Sequence, residues 1–243
     1  MTRSRLDLEM VRRGLASSRE AAQRLIMAGR VRVNSQPAAK PDLRVGVDFE
    51  IVVLAGAPEY ASRGAQKLIA ALDHFGVRVE GRRALDVGAS TGGFTDVMLK
   101  RGAAHVIALD VGYGQLVERL RVDSRVTVLD RTNIRRATPD DLPYAPDLVT
   151  IDTSFISLKL VLPAALALAA PKADVIALIK PQFEVGKGKV GKGGIVRDAA
   201  LRTAAVEEII AFARALGLGV EEPLESPIAG AKGNREYLAA MHR

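Results

Sequence analysis

The chain has 243 residues, 48% of them hydrophobic, and a mean hydropathy of +0.11, which is enough apolar material for a real core and excludes a wholly disordered chain. Its 35 Lys and Arg against 28 Asp and Glu leave a net charge of +7, pointing to an anionic partner such as nucleic acid. Zero cysteines exclude disulfide scaffolds, thiol catalysis and thiolate metal sites, and with three histidines (His74, His105, His242) no metal site is expected. The opening MTRSRLDLEM has no apolar stretch behind its charges, and the longest apolar run, 160–171, is too short for a bilayer. A cytoplasmic protein with no membrane contact is the expectation.

Residues 1–40 hold nine basic residues against three acidic ones, so most of the net charge sits in one sixth of the chain. Ser18 is placed to cap a helix whose apolar face is Ala21, Ala22, Leu25 and Ile26, and Gly29 to end it. Val31 and Val33 alternate with Arg32 as a short strand, Asn34-Ser35-Gln36-Pro37 reads as a turn, and Val45, Val47, Phe49 and Ile51 alternate as a closing strand. An arbitrary charge run is usually a solvated face. Here the stretch RLDLEMVRRGLASSREAAQRLIMAGRVRVN, with Ser18-Arg19 opening the helix and Gly29-x-Val31-x-Val33-Asn34 after it, resembles the S4 RNA-binding domain. That resemblance makes Arg3, Arg5, Arg19, Arg24, Arg30 and Arg32 candidate contacts to phosphate and RNA shape. The module is expected to cover 1–54, followed by a linker at 55–62 and a second domain at 63–243.

The second domain opens with a helix carrying Leu68, Ile69 and Leu72, then alternates apolar runs with amphipathic helices. Runs at 83–87, 106–109, 126–129, 148–151, 175–179 and 219–224 argue for an α/β fold with a mostly parallel sheet and ligands beyond the carboxyl ends of its strands. The first run enters Asp86-Val-Gly88-Ala-Ser90-Thr91-Gly92-Gly93-Phe94, where a helix begins. The glycines allow a tight turn and close approach to a ligand, and the helix N-terminus offers free N–H groups. An acidic residue ahead of the loop would repel a pyrophosphate but suits a ligand with an amino group and a positive sulfur, as in S-adenosylmethionine. Asp110, 24 residues beyond Asp86 and just after the second strand, is placed for both ribose hydroxyls, and Asp130 after the third for adenine.

Two decoys carry little. The stretch 186–192 matches GxGxxG and GxxxxGK by spacing, but Gly193 replaces the magnesium-binding Ser/Thr and no helix opens there. Its Lys187, Lys189 and Lys192 are read as a basic loop able to meet RNA phosphates or cover the site. Pro143-Tyr144-Ala145-Pro146 precedes the fourth strand and reads as a turn.

Asp152 follows the fourth strand, Lys180 the fifth, Lys67 lies on the helix before the first, and Glu236 opens the last. Lys67 alone would read as a surface charge; Lys180 at a strand end would not. In that order, the four look like the K-D-K-E tetrad of the FtsJ-type ribose 2′-O-methyltransferases. With SRGAQKL, TSFISL, LIKPQFE and GNREYL and the S4-like front, residues 3–240 resemble the TlyA family, the haemolysin A-type rRNA methyltransferases. The fold implied is a Rossmann-like class I methyltransferase sheet with a small N-terminal α+β S4-type domain. The activity implied is methyl transfer from S-adenosylmethionine to a cytidine ribose of rRNA within a ribosomal subunit; the short form this chain resembles points to the large subunit.

A ribose hydroxyl is a poor nucleophile at neutral pH, so attack on a sulfonium methyl needs a base or charge stabilisation at the oxygen, with rigid alignment. Lys180 is the expected activator, Lys67 and Glu236 the groups orienting the ribose and Lys180, and Asp152 the group fixing Lys180 and facing the methyl. Three other functions stand beside this one: a membrane-lytic toxin, for which no lytic segment is seen, a non-catalytic ribosome assembly factor, and a base methyltransferase.

Overall fold

A computed structural model of the chain, describing every residue except 1, 2, 39, 55–58, 187, 192 and 231, resolves it into two units, Met1–Arg63 and Gly64–Arg243. The first contains β1 (Ser4–Arg5), α1 (Leu6–Arg12), α2 (Arg19–Met27), β2 (Val31–Val33), β3 (Gln36–Pro37), β4 (Arg44–Val45) and β5 (Ile51–Val53). Ser18 caps α2 as its side chain accepts the Ala21 amide at 3.1 Å, and Ala22 and Ile26 bury the inner face against Leu6, Met10, Val31 and Val45. Asn34 and Ser35 both take positive φ, the two-residue hairpin geometry that matches strand twist, and the turn returns as β3 against β2.

The expected closing strand at 45–51 is two strands. β4 pairs with β1 and β5 with β2, and between them the Phe49 amide bonds the Gly46 carbonyl in a turn that leaves Val47 exposed. Alternation alone does not reveal a turn that happens to keep the period.

The second unit runs α3 (Ala65–Phe75), β6 (Arg83–Val87), α4 (Gly93–Lys100), β7 (His105–Leu109), α5 (Glu118–Arg121), β8 (Val126–Leu129), β9 (Leu148–Ile151), α6 (Leu158–Leu168), β10 (Asp174–Ile179), α7 (Pro181–Glu184), α8 (Ala199–Ala215), β11 (Gly219–Val220), β12 (Leu224–Glu225) and β13 (Tyr237–His242). The strand order is β11-β13-β10-β9-β6-β7-β8, with β12 also on β13. The five strands β8, β7, β6, β9 and β10 are parallel, while β13 runs antiparallel to β10 through six paired residues. Their near-continuous apolar sequences follow from burial on both faces. Leu85, Ile107, Val149, Ile151 and Ile179 pack with Val161 and Leu162 of α6 and Ile209 of α8 in the main core. The expected strand at 219–224 is broken into β11 and β12 around Pro223, which cannot donate to a ladder. Among the described residues no helix is long and apolar enough to cross a membrane.

Candidate active site

In a parallel sheet the ends of the strands, and the crevice where the chain direction switches between β6 and β9, are where loops can gather polar groups around a ligand. The loop after β6 leaves the strand at Gly88, whose φ is +87 and whose Cβ, if it had one, would lie 2.7 Å from the Asp152 carbonyl oxygen. Only glycine lets the loop lie against the end of β9. Gly92 (φ +96) precedes α4, where a Cβ would strike Leu116 and Leu120. Ser90, also left-handed at φ +48, points its amide at Asp110 Oδ2 at 2.8 Å, and the Gly112 amide donates to Oδ1 at 2.7 Å. Asp110 is therefore fixed at the rim of the loop, with a second lone pair on each oxygen. Thr91 is half-buried and Phe94 buried in the first turn of α4. Asp130 accepts the Gly114 amide at 3.1 Å and Arg121 at 2.9 Å, so it holds the 112–114 turn in place.

Asp86 departs from expectation. Its carboxyl is fully buried between the hydroxyls of Thr95 (2.7 Å) and Thr150 (3.0 Å) instead of facing a ligand, so it ties α4 and β9 beneath the loop. Burial pushes its pKa up to about 7, more than the two hydroxyls pull it down. The folded state thus favours the neutral carboxyl, so its stability contribution is full below the ordinary 3.8 and falls away as pH rises toward 7. The wild type should lose thermal stability across that interval relative to Asp86→Asn, whose amide keeps both hydroxyl partners. Parallel melting curves from pH 4 to 8 would refute this if they showed the same pH profile for both proteins.

The four residues of the expected tetrad come together as two ion pairs. Lys180, 7% exposed at the end of β10, donates to Asp152 at 2.5 Å and to the Ser154 hydroxyl at 3.0 Å. Lys67 on α3, also 7% exposed, donates to Glu236 at 2.6 Å. It is a buried ion-pair partner and not the surface charge its helical position suggested. Burial works against ionised Asp152, but the charges of Lys180 and then Lys67 outweigh it and hold the carboxyl below its ordinary value. Glu236 does not bond Lys180 directly; among the described residues, the link is Gln182, whose amide donates to Glu236 Oε1 at 3.1 Å. The expectation that Lys67 and Glu236 orient Lys180 is thus corrected to an indirect connection.

Sequence reasoning gave no role to Ser154, Gln182 or Phe155. Phe155 stands 86% exposed with φ +64 directly after the Asp152 turn, its ring 5.2 Å from that of Phe183. An aromatic ring held outward beside buried charged groups is a surface on which a base can stack. Its only sequence signal was its place in the TSFISL motif.

In the first unit, two acids that the charge count treated as minor organise the arginines. Buried Asp7 accepts from Arg5 (2.9 and 3.0 Å), Arg19 (3.0 Å) and Gln23 (2.9 Å), and Arg5 above all holds its carboxyl well below the usual range. Buried Glu9 takes Arg12 and Arg13. Arg30 bonds the Leu54 carbonyl, and Arg3 lies over the Phe49 ring. Arg24 and Arg32 are exposed; Arg24 acts on the Glu20 carboxylate only through its charge. Lys189 is exposed; Lys187 and Lys192 lie outside the described residues.

A parallel sheet with a glycine turn into a helix after its first strand, an acidic residue after the second and a reversed strand beside the fifth defines a methyltransferase of the Rossmann-like type. The FtsJ-like methyltransferase family model matches residues 60–243 and the S4 domain model residues 4–51. The chain is 52% identical to the 16S/23S rRNA (cytidine-2′-O)-methyltransferase TlyA of Mycobacterium tuberculosis over 97% of its own length and 88% of the relative's. It is 37% identical to the 23S rRNA (cytidine-2′-O)-methyltransferase TlyA of Campylobacter jejuni over 73% of this chain and 69% of that one. A solved structure described as a hemolysin from Streptococcus thermophilus superposes with a TM-score of 0.78 at 41% identity, covering 100% of this chain and 89% of that chain. The chain belongs to the FtsJ-like methyltransferases, in the TlyA family that joins this domain to an S4 domain.

Proposed function

We propose that this protein transfers the methyl group of S-adenosylmethionine to the ribose 2′-hydroxyl of a cytidine in rRNA, acting in the cytoplasm on ribosomal subunits. The observation that carries this reading is the buried Lys180–Asp152 pair at the strand ends, beside a glycine loop and next to the Lys67–Glu236 pair. The cradle suits the donor: Gly88 keeps the loop against β9, and Asp110 at its rim keeps lone pairs for the two hydroxyls of a ribose. The donor, when bound, supplies an electrophilic methyl on a positively charged sulfur.

The chain's own groups do the rest. Asp152 is held ionised and fixes the Lys180 ammonium, which hydrogen-bonds the attacking oxygen and stabilises negative charge on it while its proton passes to solvent water; the new oxygen–carbon bond replaces the sulfur–methyl bond, whose electron pair would stay with sulfur. Ser154 fixes a second direction of the same ammonium. Lys67 and Glu236, through Gln182, hold the far wall where the ribose enters. Phe155 offers a stacking face that keeps the target nucleotide out of its helix.

The first unit supplies affinity through phosphates. Arg24 and Arg32, both exposed and in no ion pair with a buried acid, are the cleanest probes, because removing Arg5 or Arg19 would also take a hydrogen-bond donor from buried Asp7. The double variant Arg24→Gln, Arg32→Gln should keep its melting temperature and reduce the slope of log affinity against log salt by about 1.5 to 2. An unchanged slope in filter-binding titrations would remove these two from the interface.

The function itself is tested by incubating purified protein with labelled S-adenosylmethionine and separated subunits, then digesting the RNA and weighing the modified nucleoside. 2′-O-Methylcytidine is the expected product, with the large subunit as substrate. Methyl on a base would keep the donor site and overturn the roles given to the lysines. Label in both subunits would place the chain with the relative named for 16S and 23S rRNA.

A further inference from the structure

The segments following β9 and β10 each carry one half of the Lys180–Asp152 pair, and they are fastened together a second time farther from the sheet. The carboxylate of Glu184, at the end of α7, accepts the Ser157 hydroxyl at 2.5 Å and the Leu158 amide at 2.9 Å. Helix α6 is therefore capped by a side chain from another strand's loop, in addition to Ser157, which accepts the Lys159 amide at 3.2 Å. Between the two fastenings the Phe155 and Phe183 rings touch. The chain from 152 to 158 is thus closed into a frame with 180–184: ion pair at one end, helix cap at the other, ring contact in the middle.

Within that frame Phe155 holds φ +64, a conformation that is strained for a residue with a side chain and persists only where the surroundings over-determine it. A carboxylate suits the cap because it has two acceptor oxygens for two donors and its charge is favoured at a helix N-terminus. Glu184 is half-buried, and burial pushes its pKa up despite both hydrogen bonds.

We propose that Glu184 is a positioning residue for methyl transfer: without touching the reacting atoms, it sets the spacing of the Asp152 turn against Lys180 and keeps Phe155 turned outward. This rests on the function proposed above. Removing the carboxylate leaves the Leu158 amide and Ser157 hydroxyl without their partner and frees Phe155 to relax to negative φ, so the 152–157 turn keeps its hold at the Lys180 end, through Asp152 and Ser154, and loses it at the α6 end. Donor contacts at Asp110 and the glycine loop lie on other strands and are untouched.

The test compares full-length wild type with Glu184→Ala, Glu184→Gln and, as a control on the neighbouring helix α8, Glu208→Ala, which removes the surface partner of Lys159 and a like charge near Glu184 but leaves both cap hydrogen bonds in place. Each is assayed for methyl transfer to ribosomal subunits and for S-adenosylhomocysteine binding. Because a misplacement on the order of 1 Å costs up to about 100-fold in rate, Glu184→Ala should lower kcat by about 10- to 100-fold with both KM values within about threefold. Glu184→Gln, whose amide oxygen still accepts one of the two donors, should lose about three- to tenfold. Glu208→Ala should match the wild type. A wild-type kcat in Glu184→Ala, or a loss confined to KM, overturns the role. If the alanine variant does not fold, the glutamine variant decides: a lowered kcat at unchanged KM supports the role and a wild-type kcat sinks it. No transfer by the wild type itself, with S-adenosylhomocysteine still bound, would instead refute the methyltransferase reading on which the role rests.

Discussion

Replacing Lys180 with alanine is expected to reduce methyl transfer by about 1,000-fold while leaving donor affinity within about threefold, the size of loss seen when a general base or an oxyanion-stabilising donor is deleted. The separation follows from geometry. Lys180 bonds Asp152 and Ser154 at the end of β10, whereas Asp110 and the glycine loop, the cradle proposed for the donor, follow β7 and β6. Lys180→Arg divides the two ways a cation can serve here. Arginine keeps a positive charge and cannot give up its proton, so partial activity assigns charge stabilisation and full inactivity assigns proton transfer. Single-turnover rates together with calorimetric S-adenosylhomocysteine titration give both quantities. Turnover surviving in Lys180→Ala would displace this residue from the centre of the mechanism.

The second large effect is on stability. Lys67 and Glu236 are both buried and bonded at 2.6 Å, so Glu236→Ala leaves Lys67 in the interior without the carboxylate it bonds, with only the more distant charge of Asp152 to offset it. Breaking a buried pair from one side costs about 3–5 kcal/mol, whereas replacing both partners with apolar groups of similar volume is often neutral. Glu236→Ala should therefore unfold well below the wild type, by roughly 6–15 °C for a domain of this size. Lys67→Met, Glu236→Leu should recover most of that loss and remain inactive, since the wall where the ribose enters would have lost its charges. Thermal melts of the single and double variants measure the coupling directly. A single variant as stable as the wild type would show that the pair is not buried in solution as it is in the fold.

Much of this site was legible in residue order, because strands buried on both faces announce themselves as apolar runs: 83–87, 126–129 and 148–151 coincide with β6, β8 and β9. The residues just past such runs then fall at one edge of the sheet, which is why Asp110, Asp152 and Lys180 could be picked out. What stayed hidden depends on contacts far apart in the chain. Lys67 and Glu236 are separated by 169 positions, and nothing local to α3 tells a buried lysine from an exposed one. Asp86 was misjudged because its type and place named an acid near the loop but not the direction of its carboxyl, which the hydroxyls of Thr95 and Thr150 decide. In the first unit the arginines were legible as charge, while their pairing to Asp7 and Glu9 required the folded helix pair. The 45–51 segment misled for the opposite reason: its local pattern was clear and its turn at Gly46 was not.

The antiparallel course of β13 has a consequence for how the protein matures. Because this strand runs against its neighbour β10, its first residues lie at the edge of the sheet where the parallel strands end, which brings Glu236 to Lys67. It is also the element translated after all the others described here. While the nascent chain lacks it, one flank of β10 has no hydrogen-bonding neighbour and Lys67 lacks the carboxylate it bonds, so the partly made domain is sticky at that edge. Docking of this strand closes the flank and joins Glu236 to Lys67 in one event.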